Sequence, residues 1–194
     1  MFIICALEQE NLYHKNKIKL DENLIVKTGD GDLEAFKEIY ILTSSAVMGF
    51  ALSIVKNRHD AEDIMQDTYI KIRNYAKNYK KQGKPMAWIF TIVKNLALAK
   101  LKHASSQNLN LDEQFDLADE TNHYEAVENS LLLKALMSEL SEIERNVLVL
   151  HAQTGLKHRE IAQILDIPLA TVLSKYSRAI SKMQKKIGKE NKYE

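Results

Sequence analysis

The sequence predicts an all-α protein of two small helical domains, of which the second is a helix-turn-helix of winged-helix-like type. Apolar residues recur at steps of three and four along most of the 194 residues, whereas no stretch alternates convincingly as a strand does. A break at Asp166-Ile167-Pro168 separates a short helical pattern from a long basic one. A polar, acidic stretch without clear periodicity divides the chain into two parts.

Charge is distributed unevenly, although the formal net charge is only +1. Between Lys71 and Lys102 there are nine Lys or Arg residues and no acidic residue, whereas residues 103–130 hold seven Asp or Glu residues and neither Lys nor Arg. Basic segments attract polyanions and acidic segments are repelled by them. The pattern therefore predicts two polyanion-binding units joined by a flexible acidic linker that avoids DNA.

The composition disfavours several classes of protein. Cys5 is the only cysteine, so we expect neither an intramolecular disulfide nor a cysteine metal cluster. The apolar residues 1–7 lack a signal-peptide cleavage pattern, and no run is expected to reach the roughly 18–20 apolar residues of a membrane span. Glycine-rich nucleotide loops are absent and the six histidines are scattered. We therefore expect a cytoplasmic protein that is not an enzyme, with no cofactor, no metal and no small-molecule substrate.

The first domain is predicted over residues 23–103, after an unassigned N-terminal extension at residues 1–22. Apolar residues from Leu24 onward indicate helices that are interrupted at residues 29–31. Asp32 is placed to cap the second of these helices.

The next helix is predicted to begin after a loop at residues 57–60, with Asp60 as its cap, and to continue as far as Lys81. Its predicted inward face consists of Ala61, Ile64, Thr68 and Ile72. Polar side chains near its start permit two interpretations. Glu62 and Asp63 suit the helix dipole, so capping alone explains them. Gln66 and Asp67 are explained less well by capping, and for this pair we favour a surface that contacts another protein.

Basic and aromatic side chains come together in residues 75–102. The end of the long helix carries Tyr75, Lys77, Tyr79, Lys80 and Lys81; residues 82–85 then break it before a new helix. The predicted core of the new helix is Trp88, Ile89, Ile92, Val93, Leu96 and Leu101, and its exposed edge is Thr91, Lys94, Asn95 and Lys102. This mixture suits single-stranded nucleic acid, because lysines bind phosphates and ring faces stack on bases. Trp88, however, belongs to a residue type that packs in a core more often than it stacks on a base.

The second domain is predicted at residues 130–188, between a linker at 104–129 and a tail at 189–194, and it should contain four helices. Ser141 and Glu144 have the spacing of a capping box. The predicted core face of the helix that they begin is Ile143, Val147, Leu148 and His151.

A short helix, a tight turn and a long basic helix are predicted over residues 154–186. The buried face of the short helix is marked by Ile161, Ala162 and Leu165, and that of the long helix by Val172, Tyr176, Ala179, Met183 and Ile187. No acidic residue lies between Thr171 and Lys189, where the other faces are basic. The pattern is typical of a DNA-reading helix-turn-helix. The alternative is a pair of surface helices in an ordinary bundle.

These motifs resemble those of the extracytoplasmic-function (ECF) sigma factors of bacterial RNA polymerase. The segment DAEDIMQDTYIKI (residues 60–72) and the run MAWIFTIVKNLALAKLK (86–102) resemble region two of that family. The segment REIAQILDIPLATVLSKYSRA (159–179) resembles region four. The similarity extends over residues 30–187 and leaves no counterpart for the region-three domain of larger sigma factors.

The resemblance implies a dissociable promoter-specificity subunit that binds core RNA polymerase, melts promoter DNA and starts transcription. It places contacts with the clamp helices of the beta-prime subunit on Asp63, Gln66 and Asp67. It assigns recognition and opening of the minus-ten element to Tyr75, Tyr79, Lys80, Lys84, Trp88, Thr91, Lys94 and Asn95. It assigns the minus-thirty-five element to Arg159, Thr171, Ser174, Lys175, Arg178 and Lys182, with Arg159 and Lys182 on phosphates. The flap of the beta subunit and an anti-sigma factor are further partners that the family suggests.

Two residues depart from the family pattern on the long basic helix. Leu173 and Ile180 are apolar where the family usually carries basic residues, and they share a helical face. Minus-thirty-five binding is then weaker, or Leu173 contacts a thymine methyl group, or this face meets another protein.

A stand-alone helix-turn-helix regulator, with a sensor or dimerisation module as its first domain, is the alternative function. The basic and aromatic block at residues 71–102 argues against it, because a sensor domain needs no such block.

Overall fold

The computed structural model describes residues 18–106 and 133–190. The first part contains helices α1 (Glu22–Gly29), α2 (Leu33–Val55) and α3 (Arg58–Tyr75), a 3₁₀ turn (Ala76–Asn78) and helix α4 (Pro85–Ser106). The second contains a helical turn at 133–138 and helices α5 (Glu142–Thr154), α6 (His158–Leu165) and α7 (Leu169–Glu190). The described residues contain no β-strand, so the all-α class is confirmed and the helix-turn-helix carries no β-wing within these ranges.

Polar caps set the helix starts in the first part. Asp32 accepts hydrogen bonds from the first turn of α2, as predicted. The predicted loop at residues 57–60 is wrong, because Asn57 rather than Asp60 caps α3. The Asn57 side chain accepts the backbone N–H of Asp60 at 3.0 Å, and Lys56 ends α2 in the left-handed conformation with φ of 60°. Two residues are therefore enough to connect the helices.

Helix α3 is shorter than predicted. It ends at Tyr75, and the chain tightens into the 3₁₀ turn before Tyr79 adopts an extended conformation. The basic and aromatic residues that follow therefore form a loop at residues 79–84 rather than a last helical turn. Gly83 in this loop has φ of +71°, a conformation that favours glycine. The predicted break before α4 is confirmed.

The core of the first part surrounds α2, which packs against α1, α3 and α4. Phe50 of α2 meets Phe90 of α4 edge to face, with ring centroids 5.6 Å apart. The predicted inward face of α3 is confirmed, since all four of its residues are buried. Of the residues predicted for the core of α4, Ile89 and Val93 are fully buried, whereas the other four are partly buried.

Helix α2 is long and apolar enough to span a membrane, judged by length and composition only. This was not expected from the sequence. Eleven of its 23 residues are buried, and α2 contacts helices on several sides, which explains its apolar composition as that of a core helix.

The second part is a helix-turn-helix preceded by α5. The predicted capping box is confirmed, because Ser141 and Glu144 bond each other's backbone N–H groups. Asp166 ends α6 in the left-handed conformation with φ of 57°, as the predicted turn requires. The prediction for Ile143 is wrong: its side chain, in the first turn of α5, is 39% exposed. Val147 is buried as expected.

The two parts pack against each other through α2 with α5 and through α4 with α6. Arg145 is buried and donates hydrogen bonds to the carbonyl oxygens of Met137, Leu140 and Ser53. The Ser53 hydroxyl also lies 2.9 Å from Oδ1 of Asn146. These contacts join units that the sequence predicts only as tethered domains.

Two of the predicted domain boundaries lie within the residues that the structure describes. Leu20 is buried in the core and Glu22 begins α1, so both lie with the first unit. Residues 104–106, predicted as linker, continue α4. The remainder of the predicted linker and Cys5 lie outside the described residues.

Candidate nucleic-acid- and protein-binding sites

A cavity of about 620 Å³ lies between the loop at residues 79–84 and helix α4. It brings together six of the eight residues predicted for the minus-ten element, namely Tyr75, Tyr79, Lys80, Lys84, Trp88 and Thr91. Lys94 and Asn95 lie further along α4 and are not among the residues that line it. This cavity is called the base cavity below.

The base cavity offers aromatic surface and positive charge together. The rings of Tyr79 and Trp88 meet edge to face with centroids 4.9 Å apart, while Tyr75 is 53% exposed. Trp88 is half-buried, so it packs on Tyr79 and lines the cavity at the same time. Lys80 and Lys84 are exposed at its margin. A flat base could stack on one of these rings while the phosphates of its strand meet the lysines.

One wall of the base cavity comes from the helix-turn-helix. Gln163 and Ile164 of α6 line it, and Nζ of Lys84 donates a hydrogen bond to Oε1 of Gln163 at 3.2 Å. The sequence gives no sign of this wall, because it is contributed by a separate unit of the chain.

The carboxylate of Glu22 anchors the loop of the base cavity. Its Oε1 accepts the Tyr79 hydroxyl at 2.5 Å and the backbone N–H groups of Gln82 and Gly83 at 3.0 and 2.9 Å. The hydrogen bond from Tyr79, followed by those from the backbone, lowers the pKa of the Glu22 carboxyl. Burial raises the pKa of the Tyr79 hydroxyl, and its hydrogen bond to Glu22 raises it further. Glu22 lies in the N-terminal extension for which the sequence predicts no role, so it was not predicted to contribute to this site.

The residues predicted to contact the polymerase clamp lie on one face of α3. Gln66 and Asp67 are exposed, whereas Asp63 is half-buried. All three line a depression of about 390 Å³ between α3 and α4. Nζ of Lys100 lies 3.0 Å from Oδ2 of Asp63, and this hydrogen bond lowers the pKa of the Asp63 carboxyl. Lys100 was not predicted as part of this surface.

A possible metal site near this surface is occupied by a lysine. His59, Asp60 and Asp63 bring ligand atoms within 4.8 Å of one another. The ammonium group of Lys100 bridges the two carboxylates at 2.9 and 3.0 Å. Since a protonated lysine supplies the positive charge that a cation would bring, this cluster of described residues requires no metal ion.

The residues predicted for the minus-thirty-five element fall into two groups: those that are open to solvent, and lysines that are directed toward a buried acid. Arg159, Ser174 and Arg178 are exposed, and Thr171 is half-buried at the start of α7. Ser174 donates its hydroxyl hydrogen bond to the backbone oxygen of Thr171 at 3.0 Å. The exposed arginines have the freedom to meet a duplex.

Two lysines of α7 are instead directed toward a buried acid. Nζ of Lys182 lies 2.7 Å from Oε2 of Glu144, and Nζ of Lys175 lies 4.0 Å from its other oxygen. The Glu144 side chain is only 4% exposed. The apolar residues of α7 also differ from each other, because Leu173 is 48% exposed whereas Ile180 packs against the core. The two therefore do not form one exposed apolar face.

The histidines are less scattered than the sequence suggests. His151 and His158 stack with ring centroids 4.6 Å apart, and Tyr176 of α7 meets both rings edge-on at 4.9 Å. Burial, and then the neighbouring His151, lower the pKa of His158. This cluster fixes the long helix against the two helices before it.

Comparisons with known proteins agree with this geometry. The family models described as "Sigma-70 region 2" and "Sigma-70, region 4" match residues 41–107 and 130–183. The ECF RNA polymerase sigma factor SigK of Mycobacterium sp. (strain KMS) is 25% identical over 175 residues, covering 85% of this chain and 89% of the relative. SigM of Bacillus subtilis (strain 168), also an ECF sigma factor, is 28% identical over 151 residues, covering 76% of this chain and 91% of the relative.

Solved structures share the fold. The sigma factor RpoE of Bartonella quintana, solved with the anti-sigma factor NepR, superposes with a TM-score of 0.66 and 24% identity. The match covers 79% of this chain and 96% of that one. CnrH, solved with the cytosolic domain of CnrY, superposes with a TM-score of 0.64 and 19% identity, covering 88% of this chain and 98% of that one.

Two regions in the right order, a basic aromatic cavity and a helix-turn-helix define the class: the chain belongs to the sigma-70 family of RNA polymerase sigma factors. Within that family it is an ECF sigma factor. It therefore binds core RNA polymerase and directs promoter recognition, promoter melting and the initiation of transcription.

Proposed function

We propose that the base cavity receives an unstacked base of the non-template strand at the minus-ten element. The observation that supports this most directly is the convergence of Tyr75, Tyr79 and Trp88 with Lys80 and Lys84 around one cavity. Unstacking a base costs a few kcal/mol, and stacking on an aromatic side chain returns about 1–3 kcal/mol per base. The lysines supply attraction for the adjacent phosphates, which reduces the remaining cost. Lys94 and Asn95, beyond the cavity, would follow the strand along α4.

The other two surfaces take the roles of polymerase and duplex binding. Gln66 and Asp67, exposed beside the depression of α3, would contact the beta-prime clamp helices, with Asp63 held in place by Lys100. On the helix-turn-helix, Thr171, Ser174, Lys175 and Arg178 would enter the major groove of the minus-thirty-five element. Arg159 would bind a phosphate. Lys182 is left out of this set because its ammonium group lies 2.7 Å from Glu144, whereas Lys175 lies 4.0 Å from that carboxylate and is held less closely.

Binding both promoter elements requires the two units to separate. The minus-ten and minus-thirty-five elements are about 25 base pairs apart, or roughly 85 Å along B-DNA. Here Gln163 and Ile164 of the helix-turn-helix form a wall of the base cavity. We propose that residues 23–103 and 130–188 act as separate units on the promoter and that the linker between them spans this distance.

We also propose that the protein acts in the cytoplasm. It would need no enzymatic activity, cofactor or small-molecule substrate, because its mechanism uses binding energy alone. The beta flap would bind the second unit. An anti-sigma factor is a candidate partner, since the structurally similar RpoE was solved with one.

The experiment that tests the base cavity compares Trp88→Ala with Tyr40→Ala. Tyr40 is an aromatic residue of α2 that is 44% exposed and is not among the residues that line the cavity. Each variant is assembled with core polymerase and tested on a promoter fragment with a preformed single-stranded bubble and on the same fragment as duplex. Trp88→Ala is expected to lose binding to both, by about tenfold or more for one stacked base. Equal binding by Trp88→Ala and the wild-type protein would contradict the assignment.

A further inference from the structure

We infer that Glu22 is a positioning residue for the minus-ten base: its carboxylate fixes the loop at residues 79–84 that the base meets. The inference rests on the proposed base cavity. Three donors of the loop converge on one oxygen of Glu22, namely the Tyr79 hydroxyl and the backbone N–H groups of Gln82 and Gly83. Tyr79 and Gln82 themselves line the cavity.

The loop has few other restraints. Its backbone makes no helix between Tyr79 and Lys84, and Gly83 has a positive φ. A second link, from Nζ of Lys81 to Oδ1 of Asn23 at 2.6 Å, also runs to the start of α1. Helix α1 begins at Glu22 and has other anchors of its own: the Asp21 side chain accepts the N–H of Asn23, and Ile25 and Thr28 are buried. The carboxylate therefore connects a well-formed helix to a loop that has no regular hydrogen bonding of its own.

Charge strengthens this connection. Hydrogen bonds to an ionised acceptor are stronger than those between neutral groups. The Glu22 carboxyl is ionised at neutral pH, as an ordinary Glu is, and the hydrogen bonds from the loop lower its pKa further. Through its hydroxyl, Tyr79 is held with its ring against Trp88. Without the carboxylate, the loop would have to be ordered when the base binds, and that ordering would reduce affinity.

Glu22→Ala removes all three hydrogen bonds, whereas Glu22→Gln keeps an oxygen at the same position. Glu34→Ala is the matched control, because Glu34 also lies in the first turn of an aspartate-capped helix, and within the described residues its carboxylate bonds Lys37 of the same helix. Tyr79→Phe removes one hydroxyl and leaves the ring on Trp88. Each full-length variant is assembled with core polymerase, so that the whole complex is tested.

The probe is a non-template minus-ten oligonucleotide from a promoter that this protein directs, with 2-aminopurine at successive positions. Glu22→Ala is expected to weaken binding about tenfold or more and to lose the fluorescence response at one position. Glu22→Gln should recover most of both, Tyr79→Phe should lose part, and Glu34→Ala should match the wild-type protein. Core-polymerase affinity should be unchanged throughout.

Two results separate failure of this inference from failure of the base cavity. If Trp88→Ala loses the response while Glu22→Ala and Tyr79→Phe keep it, Glu22 does not position the loop and the inference is wrong. If Trp88→Ala also keeps the response, the base binds elsewhere and both assignments fall together.

Discussion

Lys182 is expected to stabilise the fold rather than to bind DNA. Its ammonium group lies 2.7 Å from Glu144, whose side chain is 4% exposed. Removing one partner of a fully buried ion pair costs about 3–5 kcal/mol. Lys182 itself is 44% exposed, and Ser141 continues to donate its N–H to Glu144 at 2.9 Å. We therefore expect Lys182→Met to cost about 1–2 kcal/mol, or roughly 2–8 °C in Tm, measured by thermal denaturation.

This loss should depend on pH, because the ion pair requires an ionised Glu144. Burial alone would raise the pKa of the Glu144 carboxyl, but the bonds from Lys182 and Ser141 outweigh it and leave the pKa below its usual range. A lowered carboxyl pKa stabilises the fold above the ordinary carboxyl pKa and loses that contribution as the pH falls through the lowered value. The difference in Tm between wild type and Lys182→Met should therefore shrink toward acidic pH.

The DNA side of the same variant separates the two roles. A lysine that neutralises one phosphate contributes about 0.9 to the slope of log affinity against log salt. Lys182→Met should leave this slope unchanged for promoter binding by the holoenzyme. Arg159→Met is the matched control, because Arg159 is exposed and is the residue proposed to bind a phosphate. It should lower the slope by about 0.9 and change stability by less than about 0.5 kcal/mol. A lower slope without a loss of stability for Lys182→Met would refute the structural role.

Three further predictions concern other parts of the protein. Joint substitution of Gln66 and Asp67 by Ala should weaken core-polymerase binding in a sedimentation assay while Tm stays within a few degrees; unchanged binding would return the pair to a role in the helix alone. Gly29→Ala should cost about 1–3 kcal/mol in denaturant titration, because its Cβ would lie 2.8 Å from the backbone at Ala76; a neutral substitution would show that the turn moves freely. The lowered pKa of His158 means that stability should fall as the pH drops below about 6.5, and His158→Phe should flatten this dependence; an unaltered profile would place the titration elsewhere.

Local chemistry explains which parts of the fold could be predicted. The steps of three and four identified the buried face of α3, and the short-range pairing of Ser141 with Glu144 identified the start of α5. The start of α3 was mispredicted because Asn57 and Asp60 are both capable caps, and only geometry selects Asn57. The predicted end of α3 was wrong because residues 76–81 have the composition of a helix, whereas in the structure the chain leaves α3 and makes hydrogen bonds with α1.

Those residues of the candidate sites that lie close together in the sequence could be predicted from it. The aromatic and basic residues of the base cavity come from one segment and its adjoining helix. Glu22 and Gln163 could not be found in this way, because they reach the cavity only through the packing of α1 and α6. Lys182 carried the right charge for a phosphate contact, but its buried partner Glu144 lies on another helix. Charge patterns alone do not show which lysines are already paired.

The most direct test of the central claim is run-off transcription with purified core polymerase on a pool of genomic promoter fragments, with and without this protein. Discrete new start sites that share upstream elements near minus ten and minus thirty-five are expected only when the protein is present. The absence of new transcripts, despite tight duplex binding by the protein alone, would contradict its role as a sigma factor and favour a stand-alone regulator.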